Sequence, residues 1–103
     1  MTDRLEKLKA LHEADSKDQL TRYMLAMEYD KAGDSDESLT LFKGLIADEP
    51  AYIPAFIMCG QLLARLSRID EARAIYQQGI PAAQQQNDEH ASGEMAQFLA
   101  ELP

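Results

Sequence analysis

The side chains that could do chemistry are few in this chain, and they are scattered. His12 and His90 are the two histidines. An imidazole works as a general base or a metal ligand only beside an orienting partner, and neither stands in the pattern of a catalytic triad or a metal cluster. His90 and Glu94, four residues apart, would share one face of a helix and could share a metal, yet two ligands are too few for a structural zinc site. Asp34, Asp36 and Glu37 resemble a calcium loop only superficially, because the central glycine and the closing bidentate glutamate are missing at the required spacing. Helix capping accounts for these three carboxyl groups. Cys59 is the single cysteine, so an internal disulfide is impossible, and its place among packed positions marks it as a small buried apolar residue. There is neither a glycine-rich phosphate loop nor a serine or cysteine nucleophile motif. The expectation is a protein that is not an enzyme and that carries no metal and no cofactor.

The bulk composition points the same way. The chain has 103 residues, 46% of them apolar, enough for one domain with a continuous but thin core. Carboxylates outnumber basic groups 18 to 10, for a net charge of −8. A phosphate backbone needs a basic patch, so a nucleic-acid partner is not expected. No apolar run approaches the roughly 20 residues a membrane span needs, and the opening Met1-Thr2-Asp3-Arg4-Leu5-Glu6 is too acidic and polar for a signal peptide. A cytoplasmic location, with no membrane partner, is the default expectation.

What organises the chain is a repeat with a period of 34 residues: Leu25-Ala26 and Tyr29 return as Cys59-Gly60 and Leu63, Gly33 as Ser67, Asp36-Glu37-Ser38 as Asp70-Glu71-Ala72, and Phe42 as Tyr76. The apolar spacing predicts six helices. The first spans about 2 to 14, with Leu5, Leu8 and Leu11 on one stripe; shifted by one period these fall on Leu39, Phe42 and Leu45, so this helix reads as the second half of a repeat whose first half is absent. Asp15-Ser16-Lys17-Asp18 supplies the turn and N-cap for a helix over about 18 to 32, which Gly33 ends in the left-handed conformation open to a residue without Cβ. Asp34 to Glu37 should open a helix over 35 to 47, offering acceptors to its free N–H groups and negative charge to its dipole, and Pro50 closes the unit. The next helix covers about 52 to 66, turns at Ser67-Arg68 and restarts at Ile69. Pro81 either stops that helix near Gly79 or lets it run to about Gln86 with a kink; the lack of turn chemistry before Asn87-Asp88 favours the kink. A last helix over about 88 to 101 carries Met95, Phe98, Leu99 and Leu102 on one stripe.

Leu25, Ala26, Tyr29, Ser38, Phe42, Leu45 and Pro50, then Phe56, Cys59, Gly60, Leu63, Ala72, Tyr76 and Gly79, are similar to the marker positions of the tetratricopeptide repeat family, and the chain resembles its small, stand-alone bacterial members. Arg22 stands where the family often has an aromatic, and Gln84 replaces the closing proline of the second unit. The resemblance implies an all-α fold, an antiparallel helix-hairpin right-handed superhelix of two full repeats (19–52 and 53–86) between terminal capping helices (1–16 and 88–103). It implies that small residues such as Ala26 and Gly60 let the next helix approach while Phe42 and Tyr76 fill the space between layers. It also implies a partner-binding concave surface on the first helix of each unit: Tyr23, Met27, Asp30 and Lys31, then Ile57, Gln61, Ala64 and Arg65. That floor suits an extended or helical peptide with apolar anchors and an acidic end. The family's clamp for a terminal carboxylate is missing, because Tyr23 and Met27 stand where a lysine and an asparagine are needed. Lys31 and Arg65 remain, one period apart, as exposed groups. The expected function is therefore a protein–protein interaction module for a peptide or partner segment. The alternative is self-association as a homo-oligomer, since two repeats fall below the roughly three that give comfortable independent stability.

Overall fold

A computed structural model describes residues 3–103, and over that span the chain is six helices joined by short turns: α1 (Asp3–Ala14), α2 (Gln19–Lys31), α3 (Ser35–Ala47), α4 (Ile53–Arg65), α5 (Ile69–Gln85) and α6 (Glu89–Glu101). The expected start of the first helix at residue 2, and Met1 with it, lie outside the described residues. α2 pairs with α3 and α4 with α5 as antiparallel hairpins; α3 packs on α4, α1 on α2, and α6 chiefly on α5 with a lighter contact to α4. This is an all-α helical repeat, measuring 37 × 29 × 18 Å along its principal axes.

Three of the turns are the same device with three different residues. Gly33, Ser67 and Asn87 all take positive φ, at 85°, 61° and 60°. After α2, Asp34 N–H donates to the Tyr29 carbonyl at 2.9 Å and Gly33 N–H to Asp30 at 3.1 Å; Arg68 and Ser67 make the same pair to Leu63 and Ala64, and Asp88 and Asn87 to Ala83 and Gln84. Each left-handed residue thereby satisfies two carbonyls that the helix end leaves free. Asp18 and Asp88 cap α2 and α6, accepting from Thr21 N–H at 2.9 Å and Ala91 N–H at 3.1 Å. Asp34 sits at the N-cap of α3 without a side-chain cap bond, so of the acidic group expected to cap that helix only Asp36 and Glu37 act in its first turn, through charge on the helix dipole.

α5 runs through Pro81 to Gln85, so the proline does not end it. The carbonyl that loses its N–H partner belongs to Gln77, and Gln77 and Pro81 are both exposed, so the gap in the ladder falls on the solvent side of α5.

The core lies between the hairpin layers. Phe42, Leu45, Cys59 and Leu63 have no exposed surface and Tyr76 has 2%. Close approach explains the glycine in the second unit: a Cβ on Gly60 would stand inside the Tyr76 ring. One period earlier, the Ser38 hydroxyl donates to the Ala26 carbonyl at 2.7 Å, fixing α3 against α2 at the matching point. Tyr29, expected to pack like Leu63, is only half-buried, because its neighbour is α1, whose Lys9 ammonium lies 5.6 Å from the ring centroid. Arg22, the departure from the family aromatic, has its own task. Its two terminal nitrogens donate to the two carboxylate oxygens of Asp48, and one also to the Lys17 carbonyl at 3.2 Å, tying the start of α2 to the end of α3. Gln19 reinforces the tie by donating to Asp48 at 3.0 Å and to the Pro50 carbonyl at 3.1 Å.

Candidate functional site

The three helices α2, α4 and α6 are each 13 residues long and start one period apart or nearly so, at Gln19, Ile53 and Glu89, so they recur as the first member of successive units. Eight side chains on α2 and α4 were expected to line a shared surface, and the structure sorts them into three groups. Met27, Asp30 and Lys31 edge a hollow of about 450 Å³ that also takes in Arg4 from α1, Met24 and Glu28 from α2, and Met58 from α4. Gln61, Ala64 and Arg65 edge a second hollow of about 390 Å³, closed on its other sides by Tyr76 of α5 and by Phe98, Glu101 and Leu102 at the end of α6. Tyr23 and Ile57 border neither. Tyr23 is half-buried against Phe42 (centroids 6.1 Å apart, edge-on) and Tyr52 (5.2 Å), and burial, with a smaller contribution from Tyr52, raises its pKa. Ile57 packs against the core.

A salt bridge stands between the two hollows. Arg65 donates to both oxygens of Asp30, at 2.8 and 3.3 Å, joining α4 to α2, and this hydrogen bonding raises the guanidinium pKa further. Lys31 is also paired: its ammonium lies 3.7 Å from a Glu28 oxygen that accepts from Arg4 Nε at 2.7 Å. The two cations expected to be available on this face are therefore already matched by carboxylates of the chain itself. An acidic end on a partner would have to compete with Asp30 and Glu28 for these cations.

The aromatic hollow is built on a rigid floor. Tyr76 stacks on Phe98 with centroids 5.9 Å apart and planes 29° from parallel, and its pKa is pushed up to about 12, mainly by burial. Sequence reasoning missed Phe98, Glu101 and Leu102 as lining residues because α6 was assigned to capping alone, and Tyr76 because it was read as filling the space between layers. The available signal was the repeat itself: α6 starts 36 residues after α4, so Phe98 and Leu102 belong to a helix that takes the place of α2 and α4 in the row. The methionine hollow was missed in part for a similar reason. Met24 and Met58 are one period apart, and both lie beside the stripe that was read as facing the groove.

The remaining chemical candidates sit apart from this surface. Cys59 is sealed in the core, where burial lifts its thiol to about 11, so it stays protonated at neutral pH and behaves as a small apolar group. His90 Nε2 is 3.5 Å from Glu94 on an exposed face, and His12 Nδ1 is buried without a hydrogen-bonding partner among the described residues. No group of three or more potential metal ligands occurs among the described residues. No described helix is long and apolar enough to cross a membrane.

Comparison with known proteins agrees with the helix pattern. Residues 31–97 match the family model described as tetratricopeptide repeat. The solution structure of a tetratricopeptide repeat domain protein from Salinibacter ruber superimposes with a TM-score of 0.79 at 32% identity, covering 84% of this chain and 88% of that one. A crystal structure of a tetratricopeptide repeat domain protein from the same organism gives 0.74 at 32% identity, covering 82% of this chain and 94% of that one. No curated protein matches the chain.

Proposed function

This chain belongs to the tetratricopeptide repeat family, a family of protein-interaction scaffolds, and from that premise we propose that it seats a segment of a protein partner along the row formed by α2, α4 and α6. The observation that carries the reading is the pair of open hollows on that row, each lined by both apolar and polar side chains. A concave surface of this composition suits side-chain anchors from an extended or helical segment, with affinity concentrated in a few well-packed contacts. Met27, Asp30, Lys31, Gln61, Ala64 and Arg65 contact the segment at the edges of the hollows, whereas Tyr23 and Ile57 support the floor from beneath. The test is affinity capture from native cell extract with the wild-type chain and with a Met27→Lys/Leu102→Lys variant, which charges one side chain of each hollow. A partner held by the wild type and lost by a folded variant is the expected result. Identical partner sets from both proteins would sink the reading.

A specific observation supports a second reading, in which copies associate through the α1 end. Leu11 is 56% exposed on α1, whereas Leu45, one period later, has no exposed surface. A second copy covering that end would bury it. Sedimentation over a wide concentration range, repeated with Leu11→Glu, separates the two readings: a dimer abolished by the substitution favours self-association, and a monomer at every concentration removes it.

A further inference from the structure

The two hollows differ in what they attract. We propose that the hollow between α4 and α6 is the anchor site, and that the segment it takes is cationic and amphipathic, placing a large apolar side chain over Tyr76 and a lysine or arginine beside α6. This rests on the interaction reading above and adds to it the chemistry of the partner.

Charge is the first argument. α6 carries Glu89, Glu94 and Glu101 and has neither lysine nor arginine, and Glu101 lines the hollow itself. The facing wall offers the single basic residue of α4, Arg65, and that guanidinium is held by both oxygens of Asp30. Lys31 and Arg4 are drawn to Glu28 in the same way. An acidic segment would have to break a bidentate pair to find a cation and would face the Glu101 carboxylate as it did so. A basic segment meets a carboxylate that no cation among the described residues holds: Glu101 accepts only a long hydrogen bond from the Gln97 amide, at 3.4 Å, and has no salt bridge to break. The chain's net charge of −8 acts in the same direction at longer range, drawing a cationic partner toward the surface before contact.

The floor is the second argument. Ala64, Phe98, Leu102 and the Tyr76 ring make it apolar, and the ring is pinned between Gly60 and Phe98, so the depression is preformed. The Tyr76 residue is 2% exposed and lines the hollow, so its ring is a rigid base against which an apolar anchor packs. The methionine hollow has no such aromatic floor, and its polar groups, Arg4, Glu28, Asp30 and Lys31, are already engaged with one another or with Arg65.

The test uses two synthetic peptides of the same length with phenylalanine and leucine at helical spacing, lysine filling the intervening positions in one and glutamate in the other. Each is titrated into the ¹⁵N-labelled full chain and followed by amide chemical shifts. The lysine peptide should shift Gln61, Ala64, Phe98, Glu101 and Leu102 saturably, with an affinity at least about tenfold above that of the glutamate peptide at low salt, and the advantage should shrink as salt screens the charges. Glu101→Lys, an exposed substitution that leaves the core alone, should erase the preference. Equal or tighter binding of the glutamate peptide overturns the proposal. Shifts centred on Met24, Met27 and Met58 instead would overturn it while leaving the interaction reading in place, and no shift from either peptide at about 1 mM, a concentration at which even weak contacts register, would remove both.

Discussion

Leu11 and Leu45 hold the same place in the repeat, one on α1 and one on α3, and the first is 56% exposed while the second is sealed. The helices differ in what lies beside them rather than in their own pattern: α3 is covered by α2 on one side and α4 on the other, whereas α1 has α2 alone. The ion pairs repeat the contrast. Arg22 and Asp48, within the central unit, are 13% and 27% exposed and share a bidentate contact, while Arg4 at the α1 end is 61% exposed and reaches Glu28 through one nitrogen. At the other end α6 buries Ala91 and Met95 and presents Gly93, Ala96 and Gln97 to solvent, so that end is finished with polar and small side chains. In a one-dimensional stack, position in the array decides what each side chain contributes, because a repeat gains stability from its neighbours.

The sharpest way to test this contrast is to truncate its centre. Phe42→Ala should cost about 3 to 5 kcal/mol and Leu45→Ala about 2 to 5 kcal/mol, as for other sealed core side chains. In a domain of this size holding about 5 to 15 kcal/mol, either approaches unfolding. Urea melts decide the matter, and an unchanged midpoint for Phe42→Ala would place that ring outside the core. Next comes the central ion pair. Asp48→Asn should cost about 1 to 2 kcal/mol, since it weakens a charged hydrogen bond to a half-buried arginine that still has some access to water.

The same pair predicts a pH dependence. Hydrogen bonds from Arg22 first, and Gln19 second, hold the Asp48 carboxyl below its ordinary value of 3.8. A carboxyl with a depressed folded pKa adds stability that is complete above its unfolded pKa and is lost as pH falls through the folded one. Stability should therefore drop on acidification below about pH 4. The drop should be shallower in Asp48→Asn, though still present, because Asp18 and Glu71 are lowered as well. Parallel melts from pH 5 to about pH 2 would refute this if the two curves were superimposable.

Smaller effects come from the turns. Ser67 takes the left-handed conformation that Gly33 adopts one period earlier, so Ser67→Gly should stabilise the chain by up to about 1 kcal/mol and Gly33→Ala should destabilise it by about 1 kcal/mol. Thermal melts giving both substitutions the same sign would contradict the shared turn. The smallest change belongs to the uncovered end. Leu11→Ala should lower the unfolding free energy read from urea melts by less than about 0.5 kcal/mol in the monomer, against the multiple expected at Leu45. A loss as large as that at Leu45 would mean that Leu11 is covered in solution and would move the argument toward self-association.

Much of the fold is legible in the residues. Small side chains at Ala26 and Gly60, aromatics at Phe42 and Tyr76, and turn residues at Gly33, Ser67 and Asn87 are all local signals read at fixed spacing, and they place the helices to within a residue or so of those observed. The surface was less readable. Met27 and Ala64 were expected on a shared face from the family resemblance, and each borders a hollow, but neither the resemblance nor the period says how deep a side chain sits, and Tyr23 packs against Phe42 and Tyr52. Nor does spacing reveal pairing: Asp30 and Arg65 are 35 residues apart and meet only because α2 and α4 lie side by side.

The sequence by itself determined that this chain is a helical repeat, where its helices turn, and which residues let the layers close, because those properties depend on local backbone preference and on a periodicity carried by side-chain size. Only the tertiary structure decided which groups on the shared face remain available. The salt bridge that occupies Arg65, the uncovered Leu11 and the hollow that Phe98 completes with Tyr76 all arise from contacts between helices far apart in the chain, and proximity of that kind is a property of packing rather than of spacing.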